Sequence, residues 1–163
     1  MTDLILSPQL AAMSPSATMA MTQKARQMRE KGRDVLSLSV GEPDFDTPLH
    51  IRDAAKQAID DGLTRYTAVG GTADLKTAIC RKFARDASLE YKEDEVIATS
   101  GGKFLIFAAM MATLRPGDEV IIPAPYWVSY PDIVRFAGGV PVIVESTQEE
   151  GLVPTAEKLE EAI

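Results

Sequence analysis

Between residues 96 and 145, short apolar runs alternate with helix-length segments, and glycine or proline punctuates the joins. Val96-Ile97-Ala98-Thr99 reads as a strand; a glycine loop follows, and Phe104 to Leu114 is an almost wholly apolar helix ended by Pro116-Gly117. The next strand is Val120 to Ile122, then a helix around Val128 to Ala137 closed by Gly138-Gly139, then the strand Val140 to Glu145. Such alternation predicts an α/β fold, a mainly parallel sheet with right-handed crossovers and flanking helices. The near-continuous apolar strands fit a sheet covered on both faces. After Thr155 a further helix is expected with no strand after it. The sheet is therefore expected to be incomplete, with open edges that a partner or another segment must cover.

Upstream, Pro8 and Pro15 interrupt residues 1 to about 16, which read as an extended arm that needs something to lie against. Ala17, Met21, Ala25 and Met28 recur at helical spacing, with Gly32 placed to close that helix. Val35 to Val40 reads as a short strand. Thr47 is expected to cap a second helix with Pro48 at its first position, and Ile51, Ala54, Ala55, Ala58 and Ile59 form its apolar stripe up to Gly62. A polar loop, Gly62 to Gly71, carries Tyr66; Thr72 then caps a helix whose inward face is Leu75, Ile79 and Phe83.

Charge narrows the partners. Lys plus Arg number 17 against 24 Asp plus Glu, a net charge of −7, which argues against nucleic acid and anionic membrane surfaces. An anionic ligand would have to be held by local devices such as helix N-termini. Mean hydropathy of −0.04 and a hydrophobic fraction of 45% describe a globular protein. Cys80 is the only cysteine, so no internal disulfide is possible, which fits a reducing compartment. The first 20 residues lack the basic start and apolar run of a signal peptide, and no stretch reaches a membrane span, giving a cytoplasmic reading. With His50 the only histidine, no metal site is expected.

Four places can carry chemistry. Ser100-Gly101-Gly102-Lys103 lies between a strand and a helix, where free backbone N–H groups and the helix dipole favour an anion. These four residues equally suit a tight turn whose glycines serve geometry alone. Trp127, in Ala124-Pro125-Tyr126-Trp127-Val128-Ser129-Tyr130-Pro131, follows the carboxyl end of a strand, where open α/β sheets bind ligands. Its indole can serve as a packing residue or as a flat platform. Tyr66 is a loop aromatic that could donate its hydroxyl to an anion, and Gly41-Glu42-Pro43 is a turn whose backbone N–H could face a ligand.

Taken in order, Pro15-Ser16-Ala17-Thr18, Gly41 to Pro48, Thr64-Arg65-Tyr66-Thr67, Gly101-Gly102-Lys103, Pro116-Gly117-Asp118-Glu119-Val120 and Ala124 to Pro131 resemble the class I aminotransferases of pyridoxal-phosphate fold type I. The resemblance is strongest to the N-terminal part of bacterial aspartate aminotransferases of subgroup Iβ. It implies pyridoxal 5′-phosphate as cofactor, with the amides of Gly101, Gly102 and Lys103 on its phosphate and Trp127 stacked on its ring. Tyr66 would reach the phosphate of a neighbouring subunit, implying a homodimer. Gly41 would offer its N–H to the substrate carboxylate, and Thr18 would belong to the small domain that closes over the substrate. Residues 1–47 would then be the arm and first part of the small domain, and 48–163 the first part of the large cofactor-binding domain.

The activity implied is transfer of the amino group of aspartate or a similar amino acid to 2-oxoglutarate. Family members that also accept prephenate commonly carry a lysine where this chain has Ser14, in Met13-Ser14-Pro15-Ser16, which speaks against prephenate use. The family's Schiff-base lysine, and the residues that hold the pyridine nitrogen and clamp the substrate carboxylate, would lie beyond position 163. No lysine here matches that motif, so no catalytic residue is assigned, and the chain alone is expected to be inactive. The alternatives are a non-catalytic module that binds phosphate or pyridoxal phosphate or docks onto a dimer partner, and a prephenate-type aminotransferase.

Overall fold

The computed structural model describes residues 5–11, 13 and 15–163. In chain order its elements are helices α1 (Pro8–Ala11), α2 (Ala17–Glu30), α3 (Leu49–Asp60) and α4 (Ala73–Ala87), a 3-10 turn at Glu93–Glu95, then α5 (Gly102–Thr113), strand β1 (Glu119–Pro123), α6 (Tyr130–Phe136), β2 (Val140–Val144) and α7 (Ala156–Glu161). The chain divides into two compact units, one of Met1–Val40 with Lys103–Ile163, the other Gly41–Gly102.

The first unit holds the sheet. β1 and β2 pair in parallel, from Glu119 opposite Val140 to Pro123 opposite Val144, with α6 as the crossover. This is the α/β pattern expected from the alternation. Ile122, Val144, Ile133 and Val134 are the buried side chains where the sheet meets α6. Phe107 of α5 stacks against Phe136 of α6 at 5.7 Å between ring centroids. Gly139 enters β2 through a gap with no room for a side chain. A Cβ there would lie 2.9 Å from a Leu114 methyl and 3.0 Å from both the Asp118 carbonyl and Val134.

The N-terminal arm is not wholly extended. Ser7 accepts a hydrogen bond at Oγ from the Leu10 N–H (3.3 Å), and Pro8, with no N–H to leave unsatisfied, opens the single turn of α1. That turn packs against α6. Helix α2 begins at Ser16, whose hydroxyl accepts from the Met19 N–H, and ends in a Schellman motif: Gly32 at φ +76° lets the Arg33 N–H reach the Met28 carbonyl at 3.1 Å.

The second unit is helical. Thr72 caps α4 through Leu75, as expected, and Phe83 meets Tyr91 edge-on at 5.5 Å. Helix α3 starts one residue later than the sequence implies: Pro48, not Thr47, is the cap residue, its ψ of 140° still extended while its carbonyl already accepts from the Ile51 and Arg52 N–H groups. Gly62 closes α3 as read from the sequence, with the Leu63 N–H on the Ala58 carbonyl.

Two expected strands are not strands. Val35 to Val40, which bends at Ser39, and Val96 to Thr99 are irregular chain; strand structure requires a ladder, and among the described residues of its own unit neither segment finds one. Val96 to Thr99 makes a single cross-segment bond, Ala98 N–H to the Gly70 carbonyl at 2.9 Å. In the other segment, the Val35 carbonyl accepts from the Arg29 guanidinium, while Leu36 and Leu38 are 96% and 101% exposed. The sheet therefore has two strands instead of three or more. The expected inward stripe of α3 is likewise uncovered, with Ile51 and Ile59 both exposed.

Candidate functional site

The site grows from the end of β1. Ala124 extends the ladder by one bond, its N–H donating to the Val144 carbonyl at 2.9 Å. Pro125, joined to Ala124 by a cis peptide, has no N–H and ends the pairing. The chain then turns through Tyr126 and Trp127 into α6, with the Tyr130 N–H donating to the Trp127 carbonyl at 3.0 Å. Buried Pro131, Ile133 and Val134 fix α6 beneath this turn. Trp127 is thus held by its backbone while its side chain stays open, the residue being 57% exposed.

Lys103, in the first turn of α5, crosses to this indole within the same unit. Its Nζ lies 4.5 Å from the centre of the Trp127 ring, a cation–π contact. The ring therefore presents an electron-rich face to an ammonium that is itself available to an anion.

Immediately before Lys103 the backbone is shaped by Gly101. Its φ of +97° is costly for a residue with a Cβ, and a Cβ there would meet nothing within 4 Å. The Gly101 N–H turns back to the Thr99 carbonyl at 2.8 Å, and the Thr99 hydroxyl donates to the Gly101 carbonyl. Among the described residues, the N–H groups of Gly102, Lys103 and Phe104 have no protein acceptor. A helix start with unclaimed donors and a lysine beside it suits an anionic group chemically.

The other expected site residues are placed separately. Tyr66 belongs to the second unit and is fully exposed, at 107%. Gly41 opens the same unit in irregular chain and is exposed. Thr18 is half-buried in the first turn of α2 in the first unit, where its carbonyl accepts from the Thr22 hydroxyl at 2.9 Å. Of the expected set, Lys103 and Trp127 are brought into side-chain contact. Ser14, the position bearing on prephenate, lies outside the described residues. Among the described residues, no cluster of three or more His, Cys, Asp or Glu side chains is placed to hold a metal ion. No helix among them is long and apolar enough to cross a membrane.

One neighbour was not evident from the sequence. The Ser146 hydroxyl, just past β2, donates to the Ala124 carbonyl. The only available signal was Pro125, which guarantees that the ladder must end there.

The family model for aminotransferase class I and II matches residues 33–163. The chain belongs to that family. Among aminotransferases, it is 56% identical over 158 residues to an aspartate/prephenate aminotransferase of Cereibacter sphaeroides, covering 97% of this chain and 40% of that protein. An aspartate aminotransferase of Geobacillus stearothermophilus is 49% identical over 158 residues, with the same coverage. Solved aminotransferase structures agree in fold. The aspartate aminotransferase of Thermus thermophilus with maleate superposes with a TM-score of 0.92 at 48% identity, covering 98% of this chain and 42% of that one. That of Rhizobium meliloti gives 0.93 at 46%, covering 98% and 40%. The chain spans about two-fifths of the length of the curated aminotransferases it matches.

Proposed function

We propose that this chain supplies part of the cofactor and substrate site of a cytoplasmic, homodimeric aminotransferase that moves the amino group of aspartate, or a similar amino acid, to 2-oxoglutarate. The observation that carries the reading is the Lys103 ammonium 4.5 Å over the Trp127 ring, at the start of a helix whose first N–H groups are unclaimed. The cofactor proposed is pyridoxal 5′-phosphate, and these residues fit its two chemical ends, a flat ring and an anion. When bound, it supplies an electron sink for charge developing at the substrate carbon.

This chain's own residues would do the holding. Trp127 offers its indole to the flat ring. The amides of Gly102 and Lys103, together with the Lys103 ammonium, would neutralise the phosphate, a local device that works against the overall charge of −7, and the Gly101 N–H would join them only on leaving the Thr99 carbonyl. Tyr66 would donate its hydroxyl to the phosphate of a partner copy, and its full exposure leaves it free to do so. Gly41 would donate its N–H to the substrate carboxylate, and Thr18 would lie in the part that closes over the substrate. Residues 1–47 would begin the small domain and 48–163 the large one. The dicarboxylate maleate in the Thermus thermophilus relative supports a dicarboxylic substrate.

Prephenate use is a second reading, because relatives at 56% and 54% identity are named aspartate/prephenate aminotransferases. Amino transfer from aspartate to 2-oxoglutarate, compared with amino transfer from aspartate or glutamate to prephenate, assayed on the whole protein, separates the two. For the cofactor, the chain is titrated with pyridoxal phosphate while the emission of Trp127, its only tryptophan, is followed. Saturable quenching reversed by inorganic phosphate is expected; the absence of saturable quenching overturns the reading.

A further inference from the structure

We propose that Ser146 is a positioning residue for Trp127. Paired from Pro123 opposite Val144, a parallel ladder would continue with the Ala124 N–H on the Val144 carbonyl and then the Ser146 N–H on the Ala124 carbonyl. The first of these bonds is present at 2.9 Å. The second is made by the Ser146 hydroxyl in place of its amide. The side chain thus completes the ladder at the step where Pro125, without an N–H, ends it.

The consequence reaches Trp127 through three residues of chain. Ala124 is 8% exposed, so its carbonyl has little access to water and depends on this donor. On the other side, the Trp127 carbonyl is held by the Tyr130 N–H, and α6 is anchored by its buried residues. Ala124 to Trp127 is therefore a short span tied at both ends. Ser146 is the upstream tie that relies on a single side chain. Cutting it leaves a nearly buried acceptor unpaired and releases Pro125, Tyr126 and Trp127 from one side. The indole would then leave its place under the Lys103 ammonium. Ser146 acts on the indole through the backbone, by its bond to the Ala124 carbonyl.

The importance of that placement for cofactor binding rests on the reading under Proposed function, but the placement itself can be tested without it. In the full 163-residue chain, the emission of Trp127 and its quenching by acrylamide report this side chain alone. Ser146→Ala is expected to raise the quenching constant and shift the emission, and Ser146→Thr, which keeps the hydroxyl, to restore both. Thr155→Ala removes the hydroxyl that caps α7 in the same unit and serves as the control that leaves Trp127 unmoved. Pyridoxal phosphate binding should weaken about fivefold in Ser146→Ala, the worth of one net hydrogen bond.

Unchanged Trp127 quenching in a folded Ser146→Ala chain overturns the proposal. If that variant loses its far-ultraviolet circular dichroism, the nearly isosteric pair Ser146→Thr and Ser146→Val makes the same comparison, and identical quenching in the two overturns it. A wild-type chain that does not bind pyridoxal phosphate defeats the cofactor reading, while the quenching comparison still decides the role of Ser146.

Discussion

The stretch from α5 to β2 and the unit Gly41–Gly102 are written in the same code, apolar stripes on capped helices beside short apolar runs, yet they bury very different amounts. In the first, β1 and β2 find each other, and Ile122, Val134, Ile133 and Val144 are buried against the crossover helix. In the second, only Val96 reaches comparable burial, while Ile51, Leu63 and Val69 remain exposed. Helices form in both because caps and i to i+4 bonds are local. Burial differs because a stripe is covered only when its own unit contains a facing element.

Substitutions at these stripes should break the equivalence most sharply. Ile122→Ala removes a nearly buried side chain and should destabilise the first unit by about 2–4 kcal/mol, whereas Ile51→Ala on the uncovered stripe should change stability by about 0.5 kcal/mol or less. Segment-resolved amide exchange reads each unit separately, and equal losses would show that the α3 stripe is covered in solution. Gly139→Ala comes next. The new methyl would press on Leu114, Val134 and the Asp118 carbonyl, costing about 1–3 kcal/mol by urea unfolding. An unchanged midpoint would mean that the entry to β2 has slack.

Thr72→Ala should cost about 1 kcal/mol, confined to α4, because it deletes a cap whose bond to Leu75 is local. Exchange protection lost evenly across both units would contradict that local picture.

The smallest effect concerns pH at the end of the first unit. The Lys158 ammonium, 2.8 Å from Glu150, and the Thr147 N–H hold the Glu150 carboxyl below its ordinary value of 4.5. A carboxyl lowered on folding adds stability that is present above its unfolded value and lost as pH falls through the folded one. Protection of the loop between β2 and α7 should therefore weaken in acid below that ordinary value. Glu150→Gln should weaken it and remove most of its acid dependence, leaving the smaller share of Glu149 and Glu157, which local hydrogen bonds also lower; an acid dependence unchanged by this substitution would place its origin elsewhere.

Much of the fold could be read from residue pattern because its causes are local. Thr72 and Thr155 cap their helices, Gly32 and Gly62 end theirs, and Pro116-Gly117 separates α5 from β1, all through bonds spanning a few residues. The misread pieces depend on partners. Val35 to Val40 and Val96 to Thr99 have strand composition, but composition cannot supply a ladder. The turn of α1 is hidden by Pro8, because proline reads as a break in sequence although it is also a helix opener. At the site, the glycine turn and the lone tryptophan were visible as candidates, whereas Ser146 was not, since nothing near it in sequence signals a bond to a carbonyl 22 residues away.

By itself, then, the order of residues determined the helices after α1, most of their ends, the parallel pairing of the two strands around α6 and the family, since each rests on short-range bonds or on motif order. Tertiary structure alone decided which apolar faces are covered, that the Lys103 ammonium sits over the Trp127 ring, and that a serine hydroxyl replaces a ladder amide beside it. Those contacts join residues far apart in the chain, and their free energy exists only once the backbone has brought them within a few ångströms.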